Sequence, residues 1–220
     1  MAKRWKIIGQ ALIPFLFAAC AAAQVAHQRQ HPPENINEYI EHLEDPSRNQ
    51  WQQPEKVMKA LEIKPGETIA DLGSGPGYFT LRFARAVGPR GKVFAIDISP
   101  GMLAYLKKQA AAAHLTNIEP ILAKPDNPEI PPASVDMIFI CDTLHHIPNR
   151  AQYFPLLFRA LKPGGRLVNI DFYKRTLPVG PPVHMKIAKP VMIKEAQADG
   201  FHLVKQFRFL EYQYFLVFER

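Results

Sequence analysis

The sequence is short of cysteine. It has two in 220 residues, Cys20 and Cys141, too few for a disulfide framework and with no spacing that builds a metal site. Low-complexity tracts and repeats of solenoid period are also missing, which excludes tail-like and repeat architectures. Nor is there a basic stripe with interleaved aromatics. Lys and Arg are scattered among acids as on a solvated face, so the formal charge of +7 does not by itself signal a nucleic-acid partner, and none is expected. Part of that charge has another origin. Lys3, Arg4 and Lys6 stand ahead of the first apolar run, and without them the formal charge falls from +7 to +4.

What remains is an ordinary globular composition, 47% hydrophobic and 21% charged, with room for one full-sized core. The N-terminal order is basic residues, an apolar run from Ile7 to Ala23, then a polar stretch from Gln24. That is the layout of a secretory signal with the small residues Ala21, Ala22 and Ala23 at a cleavage site. The run is short for a membrane span and contains Gln10 and Pro14. Lipidation at Cys20 and an uncleaved anchor are the alternatives. Residues 1–23 are thus expected to be a signal or anchor, and 24–220 one domain with a helical lead-in over 24–65 and a core over 66–220. The expected location is exported or membrane-associated, and cytoplasmic if the segment is not a working signal.

After a Pro-broken linker at His31–Glu34, short helices are expected at Glu38–Leu43 and Pro54–Leu61, joined by the loop Asp45–Arg48. Strand and helix then alternate: Thr68–Leu72 (strand), Tyr78–Val87 (helix), Lys92–Ile98 (strand), and a helix capped by Ser99 with Pro100 at its first position. Strands follow at Ile118–Leu122 and Val135–Cys141, the latter apolar enough to be buried on both faces. A helix at Ala151–Leu161, a strand at Arg166–Phe172, a helix at Lys186–Asp199 and strands at His202–Phe209 and Tyr214–Phe218 complete the pattern. Repeated βα units predict an α/β fold, a mostly parallel sheet with helices on both faces. The short link Leu210–Gln213 forces the last two strands antiparallel, because a parallel crossover needs a dozen or more residues.

The strongest chemical signal is Asp71-Leu72-Gly73-Ser74-Gly75-Pro76-Gly77-Tyr78, between the first strand and its helix. Glycines there permit positive φ and let a ligand reach backbone N–H groups. Asp97 lies twenty residues after Gly77 at the tip of the second strand, where a carboxylate accepts from both ribose hydroxyls of an adenosine cofactor. The spacing is G-x-G-x-G, with Asp71 two residues ahead of its first glycine. A carboxylate at that position suits a cationic amino group and sits awkwardly beside a pyrophosphate. NAD is therefore disfavoured, though a nicotinamide oxidoreductase and a non-catalytic cofactor-binding domain stay as alternatives.

Asp71–Tyr78 resembles motif I of the class I S-adenosylmethionine-dependent methyltransferases. Val93–Asp97 resembles their second-strand acidic motif, Ser134–Phe139 the start of their fourth strand, and Leu161–Leu167 their turn after the following helix. The resemblance spans roughly residues 54 to 172 and implies a Rossmann-like seven-stranded sheet with its last strand antiparallel, and S-adenosylmethionine laid across the strands' C-terminal ends. It implies that Asp71, Gly73, Gly75 and Gly77 flank the methionine part, that Asp97 holds the ribose and that Ile98 packs on the adenine. Where relatives carry a Gly-Asp pair after the third strand, this chain has Ala123-Lys124-Pro125-Asp126, and Asp126 is the stand-in for the adenine contact.

The acceptor end falls on Cys141-Asp142-Thr143-Leu144-His145-His146. A histidine or carboxylate there removes a proton from a hydroxyl or carbon acid. His146 is favoured over His145, since the turn Ile147-Pro148-Asn149 should hold it closer to the fold, and Asp142 completes the set. Capping of the next turn is the competing role. No third well-spaced ligand accompanies the histidines, so no metal is expected. The Asn/Asp-Pro-Pro-Tyr/Phe pattern of base amino-methylation is absent, Cys141 has no neighbouring proline for cytosine chemistry, and there are too few cysteines for arsenite. The expected acceptor is small or lipid-like, in a pocket to which Tyr78, Phe79, Tyr173, Tyr212, Tyr214 and Phe215 are candidates. Membrane association would come through the N-terminal segment.

Overall fold

A computed structural model describes residues 35–220. The signal-like segment, Cys20 and the His31–Glu34 linker lie outside the described residues. Three short helices lead in: α1 (Ile36–Leu43), α2 (Arg48–Gln52) and α3 (Pro54–Leu61). The core then runs β1 (Thr68–Leu72), α4 (Thr80–Val87), β2 (Lys92–Asp97), α5 (Pro100–Ala112), β3 (Ile118–Leu122), β4 (Val135–Cys141), α6 (Arg150–Ala160), β5 (Leu161–Phe172), α7 (Lys189–Ala198), β6 (His202–Phe207) and β7 (Gln213–Glu219). The seven strands form one sheet in the order β3-β2-β1-β4-β5-β7-β6. β7 runs antiparallel to both its neighbours and the other pairings are parallel. The expected Rossmann-like α/β fold is therefore the observed one.

Strand order reverses between β1 and β4, the switch point at which open α/β sheets open a crevice at the strands' C-terminal ends. β4 sits at the centre and alternates with period two. Ile138 and Ile140 join the cluster holding Phe154, Leu157 and Met192 of α6 and α7, while Met137, Phe139 and Cys141 join the one holding Val57, Phe83 and Val87 of α3 and α4. Under the glycine loop, Phe139 meets Phe79 at 4.8 Å and Phe83 at 4.9 Å between ring centroids. Each such ring is worth about 1.5–3 kcal/mol on full burial, so the loop rests on a firm apolar floor. At the strands' other end, Asp136 Oδ2 accepts from the Thr68 N–H and from Lys162 Nζ, both at 2.8 Å, which ties the starts of β1 and β5 to β4.

Several boundaries differ from expectation. α4 begins at Thr80, not Tyr78, because Gly77 has φ +107° and its N–H turns back to the Ser74 carbonyl. Residues 48–52, starting at the last residue of the expected loop Asp45–Arg48, form a further helix. Arg-Asn-Gln-Trp-Gln carries no apolar period, and long-range contacts hold it: Gln52 Nε2 donates to Gln213 Oε1 at 2.9 Å, and Trp51 lies 5.7 Å from the Phe172 ring. β5 starts at Leu161, which pairs with Val135 before a register shift over Pro163-Gly164-Gly165. α7 starts at Lys189, as Pro190 lies in its first turn. Among the described residues no helix is long and apolar enough to cross a membrane.

Candidate active site

Four neighbouring strands, β2, β1, β4 and β5, each bring an aspartate to the same end of the sheet: Asp97, Asp71, Asp142 and Asp171. Three of them, Asp97, Asp71 and Asp142, face one cavity of about 1570 Å³, whose floor is the glycine loop and the residues after β4. The lead-in helices roof it with Tyr39, Leu43, Arg48 and Trp51, and the loop after β5 closes a side with Pro178, Val179 and Met185.

The glycine loop is held by its own backbone. The N–H groups of Gly73 and Ser74 both donate to the Ile96 carbonyl, at 2.8 and 3.0 Å. Gly73, Gly75 and Gly77 all have positive φ, and at Gly73 space adds a second constraint. A Cβ there would fall 2.0 Å from Thr143 Oγ1, so this glycine is what lets the loop after β4 close onto the loop after β1. Asp97 accepts from the Gly75 N–H at 2.9 Å and the Ser99 N–H at 2.8 Å. Its two oxygens have further acceptor capacity toward the cavity. Burial raises its pKa. Asp71 accepts from Thr80 Oγ1 at 2.6 Å, and its carboxyl is pushed up to about 7, first by burial and then by the Asp97 charge. Ser74 Oγ is buried with no hydrogen-bond partner among the described residues. Ile98 and Ala123 are in the cavity wall.

Asp126 is not among the residues lining the cavity. It sits at the exposed tip of the turn closed by the Lys124–Asn127 bridge, and Ala123 is the lining residue that follows β3.

On the acceptor side, Asp142 stands just past β4 with φ +55°. It accepts from Gln213 Nε2 at 2.6 Å and lies 3.9 Å from Arg48 Nη2. Its carboxyl is pushed up to about 6 by burial and by the Asp171 charge, against the pull of Arg48. His145 Nδ1 lies 2.9 Å from Asp171 Oδ1, with side-chain exposures of 3% and 0%. Burial by itself lowers the basicity of His145, but the hydrogen bond and charge of Asp171, with the charge of Asp142, outweigh it and raise the pKa above the ordinary value. His146 is exposed at the cavity wall, where crowding of its ring and the neighbouring His145 charge lower its basicity.

The structure holds His145, not His146, closer to the fold. Leu144–His146 forms a 3-10 turn, which rotates successive side chains by about 120°. Leu144 goes into the core, His145 toward β5 and His146 outward. Cys141 is buried, and burial holds its thiol well above the usual range, which suits a small hydrophobe and not a nucleophile. Of the aromatic candidates, Tyr78 and Phe79 line the cavity, whereas Tyr214 and Phe215 belong to the core and neither Tyr173 nor Tyr212 reaches the cavity wall. Among the described residues no group of three or more His, Cys, Asp or Glu side chains is placed to hold a metal ion.

The sequence reading missed Arg48, Gln213 and Asp171. Arg48 lies 4.0 Å from the centroid of the Tyr78 ring and donates to the Leu43 carbonyl at 3.1 Å, joining roof to floor. Only Asp171 left a trace in the sequence, a lone carboxylate within the apolar run Leu167–Phe172.

A methyltransferase-domain family model matches residues 69–165. A demethylmenaquinone methyltransferase from Shouchella clausii is 30% identical over 136 residues, which is 62% of this chain and 58% of that protein. A ubiquinone/menaquinone biosynthesis C-methyltransferase UbiE from Hahella chejuensis is 33% identical over 53% of this chain and 47% of its own length. The chain therefore spans about half the length of the curated relatives it matches. Among solved structures, a SAM dependent methyltransferase from Aquifex aeolicus superimposes with a TM-score of 0.79 at 27% identity, covering 85% of this chain and 99% of that one.

Proposed function

The chain belongs to the class I S-adenosylmethionine-dependent methyltransferases, and from that premise we propose that it transfers a methyl group to a small or lipid-like acceptor. The observation that carries this reading is the continuity of the cavity. One hollow joins the Gly73–Gly77 loop and Asp97 to Asp142 and His145, so donor and acceptor can meet without crossing protein. The names of the curated relatives support a quinone-like acceptor of the demethylmenaquinone kind.

The residues present fit S-adenosylmethionine. The row of aspartates suits a ligand that carries cationic ammonium and sulfonium groups, and the orphaned Ser74 hydroxyl stands in the loop with a hydrogen bond to give or accept. Asp71 and the glycine loop would hold the amino-acid end and Asp97 the ribose, with Ile98 against the base. When bound, the cofactor supplies a methyl group on an already activated sulfonium, so alignment of the acceptor accounts for much of the acceleration. The protein's remaining tasks are to exclude water, which the roof of α1 and α2 and the loop after β5 do, and to take the acceptor's proton, which we assign to His145.

Asp71 gives this assignment a pH signature. A cationic amino group favours the ionised carboxylate, whereas the free carboxyl is pushed up to about 7. Below that pH, binding must first expel a proton, so affinity for S-adenosylmethionine is expected to rise with pH from 5.5 to about 7.5 and then level off, with a slope of at most about tenfold per unit. Calorimetry in buffers of different ionisation enthalpy should show proton release at pH 6 and almost none at pH 8. Proton uptake at pH 6 would remove Asp71 from the amino-group site.

The reading is tested by supplying the full chain with methyl-labelled S-adenosylmethionine and either demethylmenaquinone or a total bacterial lipid extract. Label is expected in an organic-soluble product, matched mole for mole by S-adenosylhomocysteine. Binding of NAD in place of the methyl donor would make it an oxidoreductase. Methyl-donor binding with no transfer to any fraction would make it a binding domain. The Lys3–Ala23 layout supports an exported or membrane-attached protein, whereas supply of the methyl donor supports a cytoplasmic one. N-terminal sequencing of the native protein distinguishes a start near Gln24 or a blocked Cys20 from an intact Met1.

A further inference from the structure

Asp171 is the least accessible carboxylate of the row. It lies at the end of β5, paired across the antiparallel ladder with Tyr214, and is fully buried. Its Oδ1 takes the 2.9 Å contact with His145 Nδ1 and also accepts from the Phe172 N–H at 2.8 Å. Its Oδ2 has no partner among the described residues, and neither has the buried hydroxyl of Tyr214 beside it in register. A buried carboxylate with one oxygen unsatisfied is costly, and a buried His–Asp pair is a poor source of stability compared with apolar side chains of similar volume. Packing alone does not account for it.

From this geometry we propose that Asp171 is a positioning residue: it fixes His145 in the tautomer with the proton on Nδ1, leaving Nε2 as the proton acceptor at the acceptor end of the cavity. This rests on the methyl-transfer reading above. An Nδ1–H donated to a carboxylate cannot flip to the other tautomer without losing that bond, and no described residue hydrogen-bonds to Nε2. As the acceptor's O–H or C–H bond breaks, its electron pair would form the new bond to the methyl carbon, whose bond to sulfur breaks with its pair left on the departing thioether. The proton goes to Nε2, the imidazole becomes imidazolium, and Asp171 faces the new charge. The proton then leaves from Nε2 to bulk water.

The ionisable groups around His145 come from four elements. Asp171 on β5 and Asp142 after β4 favour its charged form, and Lys186, in the segment before α7, opposes it. His146, on the same turn, has its ring centroid 4.3 Å away, and Tyr214 on β7 stands opposite Asp171. Lys186 is drawn off by donating to the Arg175 carbonyl at 2.9 Å. The balance leaves His145 more basic than usual, so the acidic limb of turnover should lie above the ordinary histidine value of about 6.5.

The test is nitrogen-detected NMR of the full chain, with the His145 signals assigned against His145→Gln. The expected result is protonated Nδ1 with unprotonated Nε2 in the neutral ring, and a pKa above the ordinary value that falls in Asp171→Asn. With demethylmenaquinone as acceptor, Asp171→Asn should also move the acidic limb of the rate profile downward and cut plateau turnover by about 10²-fold, the lower end of what a working base supplies. A neutral ring protonated on Nε2, or a His145 pKa unmoved in Asp171→Asn, would overturn the proposal. If Asp171→Asn does not fold, the wild-type tautomer alone decides. If no acceptor turns over, the NMR result still stands, so failure of the methyl-transfer reading and failure of the pair are told apart.

Discussion

Replacing His145 with alanine is expected to lower turnover by about 10²–10⁴-fold, the usual worth of general acid–base catalysis, while affinity for S-adenosylmethionine stays close to that of the parent chain. The two effects separate because the residues sit on different loops. His145 lies on the turn after β4 and is oriented from β5 by Asp171. The proposed cofactor contacts lie on the Gly73–Gly77 loop and at the end of β2. His146→Ala provides the contrast: its ring is exposed and its lowered basicity suits it poorly to hold a proton at neutral pH, so turnover should stay near normal. Steady-state rates on an accepted substrate, with calorimetry on each variant, check both statements. Full turnover in His145→Ala would reduce the mechanism to alignment and leave the buried pair as scaffolding.

The mirror image is expected at Asp97. Asp97→Ala should weaken S-adenosylmethionine binding by about 1.5–3 kcal/mol, the range for hydrogen bonds to a charged group, or roughly ten- to a hundredfold. The carboxylate does two things at once. It fastens the glycine loop through the Gly75 N–H and the start of α5 through the Ser99 N–H, and in the proposed complex its remaining lone pairs would accept from the ribose. Asp97→Asn keeps one oxygen acceptor but loses the charge, so it should fall between Asp97→Ala and the parent chain. Calorimetric titration with S-adenosylhomocysteine reads the effect without any acceptor. Unchanged affinity in Asp97→Ala would move the ribose site elsewhere, whereas comparable losses in Asp97→Ala and Asp97→Asn would assign most of the effect to charge.

The donor half of this site was readable because its residues are local. Asp71 to Gly77 is one turn, and one helix and one strand lead from it to Asp97, so the spacing of a single βα unit places them together. The same locality explains why the reversal at β7 was predictable: a short link leaves few topologies. The acceptor half is assembled by distant pairs, and periodicity says nothing about those. His145 meets Asp171 across 26 positions, and Gln213 meets Gln52 across 161. Asp126 stands outside the cavity lining for a local reason, the turn that a Lys-Pro-Asp-Asn composition favours. Which of His145 and His146 turns inward is set by a 3-10 turn, a geometry that the proline after them does not reveal.

The amide pair Gln52–Gln213 bears on how the enzyme admits its substrates. A five-residue helix such as α2 has no standing of its own in water, where isolated helices need about twelve residues or more, so its persistence is borrowed from the sheet. Gln52 is fully buried, and its partner Gln213 continues through a 2.6 Å bond to Asp142. Lifting this part of the roof would strand buried amides and the carboxylate together, a penalty that grows with each partner left unmade. Displacing α2 to open the cavity is therefore costly, whereas the wall contributed by the segment after β5, with Pro178, Val179 and Met185, is apolar. α2 is thus a fixed beam over the cavity, tied through Gln213 to the carboxylate at the end of β4.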